Sequence, residues 1–304
     1  MEPQSRPVLW IELLLLCVLA LLWGSSYLFL KVAVTEIPPI TLIAYRVSGA
    51  AVFLFLVISI RRETLPRDTK SWKMLLIQGF LNSFGAWVLL AWGQQFVDSA
   101  LTSVLNSTSP IFVFLITVFL TRHEKVGLLK ITGAIIGLAG VIMIVGVEAL
   151  SGLGEEVAGQ LAALVAAALY GGAAIYGKRF THLSAGVTAT GTMIWSVIVL
   201  VPASLLLEQP WTLTPSFKAV AAATALSILC TGVALLIYFR LVKTLGSLGT
   251  ASQAYLRAGF GVMLGVIFLG EQISPMVAIG LFAAIVGVAA INFPDRKNAS
   301  KVKI

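Results

Sequence analysis

Two arginines stand inside stretches that otherwise hold little but apolar residues. Arg257 lies about ten residues into the run that begins at Ser247, roughly 15 Å along a helix rising ~1.5 Å per residue. A cation that deep is costly to bury, and even a long side chain hardly reaches water from there. It either faces a central cavity, paired with a substrate carboxylate or backbone carbonyls, or ties helix ends together. Arg46 follows Pro38 at a shallower depth and carries the same two readings. Lys31, nearer the outer surface, reads as an interfacial anchor. Neutral polar groups accompany the arginines. The run 101–110 is rich in hydroxyls and contains Asn106 and Pro110, and a later run offers Ser252, Gln253, Tyr255 and Arg257. Asn106 and Gln253 are 147 residues apart, and this pair of amides either contacts a ligand or hydrogen-bonds between helices. Trp23, Asn82, Trp87, Tyr170 and Trp195 can add aromatic and amide walls. Such a set suits a small zwitterion with a hydrophobic side chain and tolerates a nucleoside or a small organic anion. A large lipophilic cation fits poorly.

Catalysis has little to work with. No Asp or Glu falls at the centre of a hydrophobic run: Glu12 is at the edge of the first, and His123 and His182 are in loops. HExxH and GxSxG signatures and paired intramembrane carboxylates are missing. The expectation is a protein that is not an enzyme, with no catalytic residues, no metal and no cofactor. Proton-driven carriers use a membrane carboxylate or His as relay. Its absence argues for facilitated diffusion, or for coupling without a buried carboxylate.

These residues must be positioned by helices in a bilayer. The 304 residues are 59% hydrophobic and 11% charged, against roughly 25% charged in a soluble domain, and mean hydropathy is +0.98. Apolar stretches of about 20 residues recur to the end, each enough to span a ~30 Å hydrocarbon core. Alternating strand patterns of a membrane barrel are lacking. The expected fold is therefore all-α and multi-pass, with spans at 10–34, 38–60, 73–95, 99–121, 127–147, 157–177, 186–207, 217–241, 247–270 and 275–293. Cys17 and Cys230 fall within spans, which argues against a disulfide framework.

Charge orients the spans. With the N-terminus inside, the cytoplasmic segments hold Arg6, Arg61, Arg62, Arg67, Lys70, Lys73, Arg122, Lys125, Lys130, Lys178, Arg179, Arg240, Lys243 and the tail cations Arg296, Lys297, Lys301 and Lys303. The outer segments hold only Lys31 and Lys218. Both termini are expected in the cytoplasm, and the net charge of +8 records this bias rather than nucleic-acid binding. Partners are then the lipid bilayer and a small-molecule substrate, with no nucleic acid, and the chain is a monomer or weak homodimer.

The stretch Leu89–Ile144 reads twice. Moved forward by 147 residues it falls on Leu236–Ile291, with Glu124 on Glu271, Gly133 on Gly280, Gly140 on Gly287 and Ile144 on Ile291. The shared order is helix, loop with one Glu, Gly-spaced helix. Five spans per half force the second copy to lie upside down. That is an inverted repeat, whose substrate site is expected near the midplane. The expected units are 10–147, 157–293 and a basic cytoplasmic tail, 294–304. Gly133-x-x-x-Gly137, Gly261-x-x-x-Gly265 and the Gly280/Gly287 ridge read as close helix packing.

Trp23-Gly24-Ser25-Ser26 followed by Lys31, then Arg46, then the series Pro110, Glu124, Gly133 and Gly140, resembles the drug/metabolite transporter superfamily. The second series, Glu271, Gly280 and Gly287, resembles its repeated EamA-type domain, and the likeness covers nearly the whole chain. It is most similar to the bacterial YddG-type exporters of aromatic amino acids. The resemblance implies an alternating-access secondary transporter exporting small neutral amino acids and related metabolites across the cell inner membrane. Carriage of a nucleoside, a small organic anion or a drug is the alternative, as is a non-transporting membrane protein. One departure stands out: Arg257 occupies the place aligned with Pro110. The orientation is testable. Single cysteines in the 61–73 loop should react with a membrane-impermeant maleimide only in inverted vesicles, and those in the 208–218 loop only in intact cells.

Overall fold

The usual order of a folded chain is reversed in this protein. Phe55, Leu56, Phe119 and Phe282 are exposed, while Thr188, Thr190, Thr192 and Ser196 are fully buried. Each of those four hydroxyls donates to a carbonyl one turn earlier in its own helix, so a polar face can be buried without stranding its groups. Apolar residues outside and satisfied polar groups inside are what a hydrocarbon surrounding demands.

The computed structural model describes residues 9–93, 96–97, 99–121, 127–145, 156–260 and 274–293, and all secondary structure among them is helical. The helical runs in chain order are α1 (Leu9–Ala33), α2 (Pro39–Ile60), α3 (Thr69–Gly79 and Gly85–Gly93), α4 (Ser99–Asn106 and Ser109–Ile116), α5 (Leu128–Val145), α6 (Val157–Gly177), α7 (Ala185–Leu207), α8 (Phe217–Ser227 and Ala234–Thr244), α9 (Gly246–Ala251, then residues 253–260) and α10 (Pro275–Asn292). Among the described residues seven helices are long and apolar enough to cross a membrane, and Val104–Phe119 and Leu128–Ile144 are shorter apolar helices. Glu124, Glu271, Gly261, Gly265 and the basic tail lie outside the described residues, as does the side chain of Lys31.

Irregular backbone recurs at the 147-residue interval. Arg62 and Gln209, just after α2 and α7, are the described non-glycine residues with positive φ, at 54° and 46°. A π-helical turn, Phe80–Phe84, interrupts α3, and another, Ile228–Val233, interrupts α8. α4 breaks at Ser107 and Thr108, and α9 breaks at Ser252. The break in α4 lies in the turn before Pro110, which has no N–H to give the Asn106 carbonyl four residues back. Pro110 sits in the first turn of Ser109–Ile116, where a missing N–H costs no hydrogen bond. The Thr108 hydroxyl covers the Leu105 carbonyl at 2.6 Å.

Packing has the same period. α5 and α10 cross antiparallel in the most extensive contact between described helices. A Cβ added at Gly287 would lie 2.6 Å from the Gly133 carbonyl oxygen, and one added at Gly140 would lie 2.6 Å from that of Gly280. Exchanging each position for its counterpart 147 residues away turns one contact into the other. α2 and α7 also run antiparallel, each end closed by a carboxylate following the other helix. Glu208 accepts from the Ile40 and Thr41 N–H groups at 3.0 and 2.6 Å, and Glu63 accepts from Ser184, the N-cap of α7.

One counterpart pair differs in chemistry. Gly93 of α3 meets Gly159 of α6, a Cβ at Gly93 lying 2.8 Å from the Gly159 carbonyl. The counterparts in α8 and α1 are Arg240 and Glu12, joined by an ion pair of 2.7 Å. Glu12 also accepts from Thr244 at 2.8 Å and is only 1% exposed. Sequence places this acid at a helix edge; packing of α1 on α8 encloses it.

The glycine crossing predicts an asymmetry between substitutions. Gly287→Leu should destabilise the folded protein by ~1–3 kcal/mol, because two backbones must separate. Gly172→Ala should not, since its Cβ would find only Leu81 Cδ2, at 3.8 Å. Thermal unfolding in detergent measures both.

Candidate functional site

The helices enclose one described cavity of about 1100 Å³, its open mouth included. It is lined by α1, α2, α3, α4, α6, α8 and α9. Arg46 of α2 stands in its wall, and the π-helical turn of α8 holds it there. Arg46 Nε donates to Thr231 Oγ1 at 2.6 Å, and Nη2 reaches the Cys230 carbonyl at 3.5 Å. Thr231 in turn donates to the Leu226 carbonyl five residues back, and Ser227 donates to the Arg46 carbonyl. The widened turn thus supplies acceptors that a regular helix keeps for itself. The guanidinium lies over the Trp87 ring, 4.3 Å from its centroid, a cation–π contact. Both readings of Arg46 from sequence describe the same side chain: it ties α2 to α8 and it faces the cavity.

Arg257 reaches the cavity from α9. Gly24 of the Trp-Gly-Ser-Ser motif brings α1 close beneath it, since a Cβ there would lie 3.3 Å from the Arg257 carbonyl oxygen. Trp23 from that motif stacks on Tyr238 of α8 at 5.6 Å, and both line the cavity together with Ser26. Asn82 enters from the π-helical turn of α3, Asn106 from the last residue before the break in α4, and Gln253 from the first residue after the break in α9. Tyr170 comes from α6. None of the described lining residues is acidic.

Eight of the ten residues named from sequence therefore meet in one cavity. Trp195 and Tyr255 do not line it. The Trp195 indole donates to the Trp72 carbonyl at 3.0 Å and packs edge-on against Trp72, on the α3–α7 contact. Tyr255 is fully buried against Gly137, its hydroxyl donating to the Ala134 carbonyl at 2.9 Å. Helical phase explains this: Gln253 and Arg257 are four residues apart and share a face, whereas Tyr255, two from each, points the opposite way. The same count identifies the face from sequence. Ser26 of the Trp-Gly-Ser-Ser motif and Ser109 of the hydroxyl-rich run 101–110 also line the cavity, as does Tyr238, which the sequence did not single out. Tyr238 is beside a cation near the end of its span, where an aromatic reads as interfacial.

The EamA-like transporter family model matches residues 10–146 and again 157–293. The chain belongs to that family. It is 30% identical to the uncharacterized transporter YoaV of Bacillus subtilis, over 88% of this chain and 92% of that protein. It is 26% identical to the uncharacterized inner membrane transporter YedA of Escherichia coli, over 90% and 88% respectively. A solved crystal structure at 20% identity superposes with a TM-score of 0.78, covering 93% of this chain and 98% of that one, so the fold is shared. This EamA protein is a multi-pass membrane transporter by family. Its Arg46 gives a direct test. Thr231→Val removes the acceptor that fixes Nε, a bond to a charged group of ~1.5–3 kcal/mol. Apparent substrate affinity should fall on the order of tenfold while the amount of folded protein is unchanged.

Proposed function

We propose that this EamA protein is an alternating-access secondary transporter that exports small neutral amino acids with aromatic or hydrophobic side chains, and related metabolites, across the inner membrane. One observation carries the reading: Arg46 and Arg257 share a cavity with Trp23, Trp87, Tyr170 and Tyr238, and no described lining residue is acidic. Two fixed cations favour a carboxylate, aromatic walls favour an apolar side chain, and a cationic drug is repelled. The inner membrane is proposed by analogy with the inner membrane transporter YedA.

The proposed architecture is ten spans in two inverted five-helix units, 10–147 and 157–293, with both termini in the cytoplasm. Its supports are the irregularities repeated at 62 and 209 and in α3 and α8, the reciprocal glycine contacts of α5 with α10, and the antiparallel α2–α7 pair. Alternating access then means opening one end of the bundle while the other stays shut. At one end α1 and α8 are held by Glu12 and Arg240, and at the other α3 and α6 are held by bare backbone contact at Gly93 and Gly159. The transporting unit is proposed to be a monomer or weak homodimer, since the described lining residues all come from one chain.

A small organic anion is the second reading, favoured by the same two guanidinium groups. Counterflow in proteoliposomes decides between them, with labelled phenylalanine outside and unlabelled candidates loaded inside. Exchange by Phe, Trp, Met or Thr is expected without any proton gradient, and Arg257→Ala should abolish it. Exchange of organic anions but no amino acid would overturn the amino-acid assignment. A strict need for a proton gradient would contradict uncoupled exchange and direct attention to Glu12.

A further inference from the structure

Donors and acceptors in the cavity wall are separate sets, and a carboxylate answers only one of them. We propose that the substrate carries a protonated amine beside its carboxylate, and that the amides of Asn106 and Gln253 select for the amine. This rests on the reading of the cavity as the substrate site. Guanidinium groups only donate, so Arg46 and Arg257 satisfy an anion by themselves. The amide oxygens of Asn106 and Gln253 and the hydroxyl of Tyr238 are the other set. All three are buried without a hydrogen-bond partner among the described residues, and their residues are 3%, 7% and 4% exposed.

A buried acceptor with no donor is costly. Two amides that only tied helices together would show the partners they tie to. Their placement is also not scattered. Asn106 closes the first half of α4 and Gln253 opens the second half of α9, each beside a break in its helix and 147 residues apart. An ammonium group has three donors and no acceptor, which matches these oxygens in kind. A carboxylate has no donor to offer them. The aromatic pair Trp23 and Tyr238 adds ring faces that attract a cation. An amine without a carboxylate would meet two guanidiniums and no acid among the described lining residues, so charge disfavours it. An acid without an amine leaves the acceptors unpaired. Only a molecule bearing both groups satisfies the whole wall, and a site built around hydrogen bonds rejects analogues that lack the bonding group strongly.

The test uses the full chain in proteoliposomes, following labelled phenylalanine in counterflow against phenylalanine, 3-phenylpropionate and phenethylamine. The wild type should prefer phenylalanine by about tenfold or more over each analogue. The double variant Asn106→Leu, Gln253→Met keeps the length of both side chains close to that of the native pair and removes both acceptors. It should carry 3-phenylpropionate within about threefold of phenylalanine while still rejecting phenethylamine. The single variants should each lose about threefold or more of the discrimination, which decides the assignment even where the double variant does not fold. Wild-type exchange of phenylalanine and 3-phenylpropionate at equal rates would overturn the inference and leave the cavity as the substrate site. Folded variants that reject 3-phenylpropionate as well as the wild type does would overturn the role of the amides. No exchange of any of the three by the wild type would remove the amino-acid reading, and this one with it.

Discussion

A backbone in hydrocarbon must satisfy its own hydrogen bonds, so departures from regular helix are tolerated only where protein or a cavity surrounds them. The interruptions within α3, α4, α8 and α9 lie along the cavity wall. The π-helical turn of α8 offers Thr231 and a carbonyl to Arg46. The π-helical turn of α3 carries Asn82, and the breaks in α4 and α9 carry Asn106 and Gln253. A regular helix commits one lone pair of each carbonyl to its own ladder. Widening one turn makes a binding group out of backbone without exposing it to lipid.

Close helix contact is the second requirement, because lipid gives helices no hydrophobic reason to associate. Glycine supplies it at α5–α10, where carbonyl oxygens approach the facing backbone so nearly that no side chain fits between. Where the same positional relation recurs at the two ends of the bundle, the chemistry diverges. Gly93 and Gly159 pack by shape alone, while Glu12 and Arg240 are held by charge and by Thr244. A pair of guanidine and carboxylate separates only when each finds another partner. Two backbones in van der Waals contact have no such condition. The proposed opening of the two ends therefore faces different barriers, even with closely matched architecture.

Charge in the cavity is one-sided by construction. Glu208, Glu63, Asp68 and Glu36 accept hydrogen bonds at the starts of α2, α7, α3 and α8, and Glu12 is enclosed with Arg240. None reaches the cavity wall among the described residues. Arg46 is also immobilised by Trp87 and Thr231, which spares a ligand the entropy of fixing a long side chain.

The sequence by itself determined the membrane class, because hydropathy and charge density leave no other solvent for this chain. It also marked the buried arginines and both amides, since polar groups in apolar runs are conspicuous. The 147-residue period was visible in glycines and failed to show in the π-helical turns, whose residues look like any helix. Only the tertiary structure decided which faces converge. Trp195 and Tyr255 are as aromatic as Trp23 and Trp87, yet each hydrogen-bonds a carbonyl away from the cavity. Tyr238 was hidden by a neighbouring cation, and Glu12 by its place near a helix end. Composition reports what a residue costs to bury. Where it is buried, and against what, depends on helix phase and crossing, which no single span contains.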